Sequence, residues 1–142
     1  MKTYILTVSK VFPSYHPRKG QDTHFLEKLC TEEKKHTIRA NYELWKKRIE
    51  DVNNGTARLS VRQWSGKPYN SKQEEIFEFL GDSVGIQRLG CDEGWYLSGY
   101  ETGIPIEELA FNDGLTLEDF IDWFKKYPSE PMAIIHFTDF RY

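Results

Sequence analysis

The sequence predicts an α+β fold: a small, curved, mostly antiparallel β-barrel with helices packed on its outside, built by residues 1–142 as one domain. Five or six short runs rich in β-forming residues are separated by turn signals. The helical runs between them are too irregular for the βαβ alternation of a parallel sheet. With 142 residues, 39% hydrophobic and 29% charged, the chain can bury a core without covalent staples.

Thr3–Lys10 (TYILTVSK) alternates and reads as a strand. Phe12–Asp22 (FPSYHPRKGQD) carries two prolines and a glycine and is a long loop, with His16, Arg18 and Lys19 as anion-binding candidates. Asp22 or Thr23 caps a helix through Leu29, with Phe25, Leu26 and Leu29 on one face. Thr37–Ala40 is extended. Asn41 then caps a helix over Tyr42–Val52, where Leu44, Trp45, Arg48, Ile49 and Val52 share a stripe, and Asn53-Asn54-Gly55 stops it.

Thr56–Trp64 alternates as a half-buried strand, with Ala57, Leu59 and Val61 on one face and Arg58, Ser60 and Arg62 on the other. Ser65–Tyr69 is a turn. Glu74–Leu80 and Ser83–Leu89 form two strands around Gly81-Asp82, and a short one, Trp95–Leu97, follows in a glycine- and aromatic-rich stretch. Pro105 opens a short helix, Pro105–Ala110, and Asn112-Asp113-Gly114 turns the chain. Thr116 caps a helix with Asp119 at the capping-box position and Leu117, Phe120, Ile121 and Phe124 at helical spacing. Pro128 and Pro131 end it, and Met132–Phe140 is a closing strand.

Charge is unevenly distributed. Residues 1–72 hold 15 Lys and Arg against 7 Asp and Glu, whereas residues 73–142 hold 4 against 15. A basic half favours phosphate or nucleic acid, and the acidic half argues against a long nucleic-acid track. No apolar run is long enough to cross a membrane, and Met1–Lys10 lacks the apolar core of a signal peptide. Cys30 and Cys91 read as ordinary thiols, so a cytoplasmic location is expected. His16, His24, His36 and His136 have no metal-binding spacing, and no phosphate-binding glycine loop is present. No metal and no cofactor are expected.

Lys34-Lys35-His36-Thr37-Ile38-Arg39 places an amine, a hydroxyl and a guanidinium within six residues. A lysine whose pKa is lowered can activate a hydroxyl, and an arginine can hold an anion. Thr37 and Arg39 share a strand face, but Lys34 and Thr37 do not. For those two to cooperate, the chain must change from turn to strand between them. Plain structural roles stand beside these: Lys34 as a helix C-terminal cation, Thr37 as a strand residue, Asp113 as an Asx-type turn before a helix.

Lys34-x-x-Thr37-Ile38-Arg39, followed much later by Ala110-Phe-Asn-Asp113-Gly-Leu-Thr-Leu-Glu-Asp-Phe, resembles the ASCH domain of the PUA-like superfamily. Within it, the likeness is to the small bacterial acetylcytidine amidohydrolases. The resemblance implies a PUA-like barrel whose cleft takes RNA or a modified nucleoside. It makes Lys34 the activating lysine, Thr37 the nucleophile and Asp113 the acid. The amidohydrolases have a glutamate there; aspartate is one methylene shorter, and proton transfer needs heavy atoms within about 3 Å. The basic segment around Trp45–Tyr69 is also longer than in those enzymes.

Arg39, Arg62, Trp64, Lys67 and Tyr69 are ligand-binding candidates, since arginine contacts phosphate or base edges and aromatic rings stack bases. Three readings stay open on the residues. One is an amidohydrolase acting on an acylated nucleoside. Another is a non-catalytic RNA-binding module. The third is a protein-interaction domain of a mobile element, with Trp95, Tyr96 and Tyr100 at its interface.

Overall fold

The elements follow one another as β1 (Lys2–Val8), α1 (Phe25–Cys30), β2 (His36–Ala40), α2 (Tyr42–Asn53), β3 (Ala57–Trp64), β4 (Gln73–Phe79), β5 (Gly85–Gly90), β6 (Tyr96–Leu97), α3 (Ile106–Asn112), α4 (Leu117–Phe124) and β7 (Met132–His136). They are seen in a computed structural model that describes residues 1–66, 69–81, 84–90, 96–97, 103–125 and 130–142. The fold is α+β and mostly antiparallel, as predicted. Among the described residues the strands pair as two sheets, β1-β3-β4 and β2-β7-β5-β6, rather than as one closed ring. β1 and β3 are parallel, against the antiparallel expectation. The chain between them passes through α1, β2 and α2, a connection long enough to return in the same direction.

Both sheets meet at one core. Leu6 and Val8 of β1, Leu59 and Val61 of β3, Ile38 of β2 and Ile134 and Ile135 of β7 all belong to a single buried cluster. Helix α2 packs against β3, β5 and β7 and so lies across both sheets. Its buried side is Trp45, Ile49 and Val52. Leu44 sits at the margin of the predicted stripe and is 41% exposed, while Arg48 lays its guanidinium over the Trp45 ring at 4.9 Å. Asn41 caps the helix as expected, accepting from the Leu44 amide at 3.2 Å.

Several boundaries move for identifiable reasons. β1 ends at Val8 rather than Lys10 because Thr23 takes over the next carbonyls: its Oγ1 donates to Ser9 O at 2.7 Å and its amide to Lys10 O at 3.0 Å. Asp22 and Thr23 do bond the amides that follow, but the N-cap of α1 is His24, in a left-handed conformation, and Leu26 is exposed. β7 stops at His136, after which the chain bends and returns Tyr142 toward β5, its amide donating to Gln87 Oε1 at 3.1 Å.

At α4, Thr116 accepts from the Asp119 amide at 3.2 Å, but the Asp119 carboxylate does not complete the capping box. It takes the Arg18 guanidinium instead, and His16 Nε2 donates to Asp119 O at 3.1 Å. Tyr15 adds a bond from its hydroxyl to Trp123 O at 2.7 Å. Two of the three anion-binding candidates in the 12–22 loop therefore serve to pin that loop on α4. Among the described residues no helix is long and apolar enough to cross a membrane.

The buried face of α4 is Phe120 and Phe124, while Ile121 is 49% exposed. Phe120→Ala should cost about 3–5 kcal/mol in denaturant unfolding, whereas Ile121→Ala should cost less than about 1. Equal effects would place the helix in a different rotation.

Candidate functional site

The site begins at a helix end. α3 stops at its C-cap, Asp113, because Gly114 adopts the left-handed conformation (φ 82°) that favours glycine. The Gly114 amide donates to Phe111 O at 3.0 Å and the Leu115 amide to Ala110 O at 3.0 Å, the paired bonds of a Schellman motif. The segment Asn112-Asp113-Gly114 is thus the end of one helix rather than an Asx turn opening the next. Its outward carbonyls need donors, and the segment leading into β2 supplies them. Lys35 N donates to Asn112 O at 2.7 Å, Lys34 Nζ to Asp113 O at 2.7 Å and Lys28 Nζ to Gly114 O at 2.9 Å.

Lys34 is therefore a helix C-terminal cation, as its plain structural role supposed, but for α3 rather than α1. The turn after α1 makes this possible: Glu32 is left-handed (φ 63°), and the Lys34 amide returns to Lys28 O at 3.0 Å. The chain then straightens into β2 at His36, which is the change from turn to strand that the spacing required. Lys34 is 2% exposed. Its ammonium also meets Asp113 Oδ1 at 3.2 Å and lies 4.2 Å from the centre of the Phe25 ring. Burial pushes the Lys34 amine down to about 8; Asp113 works against this, and Arg39 and Lys28 reinforce it.

His36 shares the carboxylate, with Nδ1 at 3.2 Å from Asp113 Oδ1. An ionised carboxylate only accepts, so Nδ1 carries the proton and Nε2 is the acceptor. Tyr142 then donates its hydroxyl to His36 Nε2 at 2.6 Å, while Asn112 Nδ2 donates to the Tyr142 oxygen at 3.2 Å. Each donor in the chain Asn112–Tyr142–His36–Asp113 has one consistent direction. Across the sheet His36 is in register with His136, their ring centroids 5.5 Å apart. His136 Nε2 donates to Gln87 Oε1 at 2.8 Å, and Nδ1 has no hydrogen-bond partner among the described residues. Burial holds His36 below the ordinary imidazole range, and it pushes His136 down to about 3 with His36 and Arg141 adding. Burial likewise raises the Tyr142 phenol, keeping it a donor.

Thr37 and Arg39 lie on a common face of β2, and Arg39 NH1 donates to Thr37 Oγ1 at 2.8 Å. Arg39 NH2 reaches Thr7 O at 2.6 Å, tying β2 of one sheet to β1 of the other. Lys34, Thr37, Arg39 and Asp113 all line one small cavity of about 20 Å³, walled by Phe25 and Trp123. That volume admits one water. Lys34 and Thr37 face this cavity without hydrogen-bonding each other.

A second cavity, about 850 Å³, opens between the 12–22 loop and the β3–β4 turn, and Trp64 and Tyr69 line it. Ser9 lines both cavities. Arg62 lines neither; it points along the outer face of β3, donating to Ser60 Oγ at 2.8 Å beside Glu75. Lys67 lies outside the described residues, as do Trp95, Tyr100 and the side chain of Tyr96. Among the described residues no three His, Cys, Asp or Glu side chains are grouped to hold a metal ion.

Comparison with protein-family models, curated proteins and solved structures finds no match to this chain. The sequence reading missed His36, Tyr142 and Asn112. His36 carried no strand-face signal, because Lys34 lies in the turn before β2 begins. Tyr142 carried none, because only the bend after β7 brings it to β2.

The depressed histidines set a pH dependence. Between their folded values and the ordinary 6.5, the unfolded chain binds more protons, so stability falls as pH drops below about 6.5, by at most about 1.4 kcal/mol per unit per histidine. For His136 this continues toward about pH 3. Lys34 acts at the other end, adding stability as pH rises from about 8 toward its ordinary 10.5. Urea midpoints across pH 5–7 should be flatter in His136→Gln than in the parent; parallel curves would remove His136 from the account.

Proposed function

We propose that this chain is an ASCH-type, PUA-like domain that binds an N-acylated nucleoside, free or within RNA, and hydrolyses its amide with Lys34, Thr37 and Asp113. The observation that carries the reading is the shared cavity: three residues separated by up to 79 positions meet around a space the size of one water. The Arg39–Thr7 clasp between the two sheets supports the barrel-like part of the reading.

In the proposed chemistry Lys34 and Asp113 move the protons and Thr37 forms the covalent bond. Neutral Lys34 removes the Thr37 hydroxyl proton through the single water the cavity admits. Oγ1 bonds to the acyl carbon, and the Arg39 guanidinium faces the oxygen on which negative charge builds. Asp113 receives N–H groups from Lys34 and His36, so at rest it supplies counter-charge. A proton handed to it by Lys34 across 3.2 Å passes to the amine nitrogen as the C–N bond breaks. Water, deprotonated by Lys34, then attacks the Thr37 ester; as the C–O bond breaks the carboxylic acid leaves and Lys34 returns the proton to Thr37 Oγ1.

A second reading has its own observation. Arg39 already occupies Thr37 Oγ1 in a small cavity, which favours an RNA-binding module that never uses the hydroxyl. Its binding should then weaken steeply with salt.

Acetylated cytidine, alone and within an oligoribonucleotide, should release acetate, and Thr37→Val should lower the rate by about 100-fold or more while melting like the parent. Lys34→Ala should abolish release but also break a buried ion pair, a loss of about 3–5 kcal/mol, so Thr37→Val is the cleaner variant. An unreactive parent across a panel of acylated nucleosides would exclude hydrolysis and leave the second reading.

The rate should rise about tenfold per pH unit below pH 8 and level off above it, as Lys34 loses its proton. A flat profile from pH 6 to 9 would mean that Lys34 is not the base.

A further inference from the structure

The large cleft has a chemistry of its own. Its described lining carries two charged residues, Lys10 and Lys19, and no acidic one, in a chain whose net charge is −3. Neither lysine enters an ion pair among the described residues, and Lys10 Nζ has a single long contact, 3.4 Å to Ser65 O. Its volume, about 850 Å³, falls in the range of sites that take small organic ligands.

The same cleft is lined by Trp64 and Tyr69, with ring centroids 5.3 Å apart and planes at 50°. Tyr69 is 89% exposed and has φ 64°. A bulky residue in the left-handed region is strained, and a ring this exposed gains little from burial beyond its contact with Trp64. The turn nevertheless holds that conformation, closed by Ser65 N to Lys72 O at 2.8 Å and Gly66 N to Ser71 Oγ at 3.1 Å. The facing wall is equally fixed, since Tyr15, His16 and Arg18 anchor its loop to α4. Two rings and two cations thus line one cleft.

We propose that this cleft binds a phosphorylated nucleoside, its base against Trp64 and Tyr69 and its phosphate against Lys10 and Lys19. A free mononucleotide and the end of an RNA strand present the same groups. The inference deepens the preceding reading and rests on it in one respect, that a base so held presents its acyl group past Ser9, which lines both cavities. Binding itself needs no hydrolysis.

Calorimetric titration of the full chain with cytidine, cytidine monophosphate and a short oligoribonucleotide tests it. The monophosphate should bind at least about tenfold more tightly than cytidine at low salt, and the ratio should fall toward one in the Lys10→Gln/Lys19→Gln variant. An oligoribonucleotide binding far more tightly than the monophosphate, with a steeper salt slope, identifies RNA as the source; equal affinities identify the free nucleotide. Tyr69→Gly should lose binding and keep or raise the melting temperature, because glycine accepts this backbone without strain. A drop in melting temperature with binding intact would make Tyr69 structural and overturn the proposal. So would equal affinity for cytidine and its monophosphate, or no binding of any of the three. Nucleotide binding without acetate release would remove the hydrolytic reading and leave the cleft standing; acetate release without phosphate preference would do the reverse.

Discussion

A lysine ammonium taken out of water is costly to bury, and it persists only where charge and hydrogen bonds replace the lost hydration. Lys34 meets this condition chiefly through Asp113, using both the carboxylate and the backbone carbonyl of that residue, with the Phe25 ring beside the ammonium. The pair joins the start of β2 to the end of α3. Gly114 is part of the same arrangement, since a Cβ there would lie 3.1 Å from Lys34 Cβ. Glycine is required at this position both for its backbone angle and for the close approach of the lysine stem.

From that pair the buried polar network extends in one direction through His36 to Tyr142, and in the other toward Thr37 and Arg39. The first branch has fixed donors and acceptors. The second borders a cavity one water wide and, through Thr7, reaches the wall of a cleft large enough for a nucleotide. Burial lowers the lysine while the carboxylate resists, which leaves the amine close to the middle of the useful pH range. A lysine merely capping a helix at the surface would not have been moved there.

Most elements were legible because their signals are local. Asn41 and Thr116 cap the helices assigned to them, Gly55 follows the end of α2, and the alternation of Ala57, Leu59 and Val61 puts these residues in the core. Errors arose where a side chain had a better partner far away. Asp119 left the capping box for Arg18, and Met132–Phe140 broke at His136 as the chain bent back. Long-range ion pairs and bends leave no periodicity to read.

By itself the sequence determined the mixed, mostly antiparallel character of the chain, the position of each helix and the chemical groups at Lys34, Thr37 and Asp113. Spacing and capping are properties of neighbouring residues, so they are visible in one dimension. Only the tertiary structure decided that these three groups share a cavity, that His36 and Tyr142 belong with them, and that Trp64 and Tyr69 line a separate cleft together with two lysines. Those juxtapositions depend on how two sheets meet over one core and on where a left-handed glycine ends a helix.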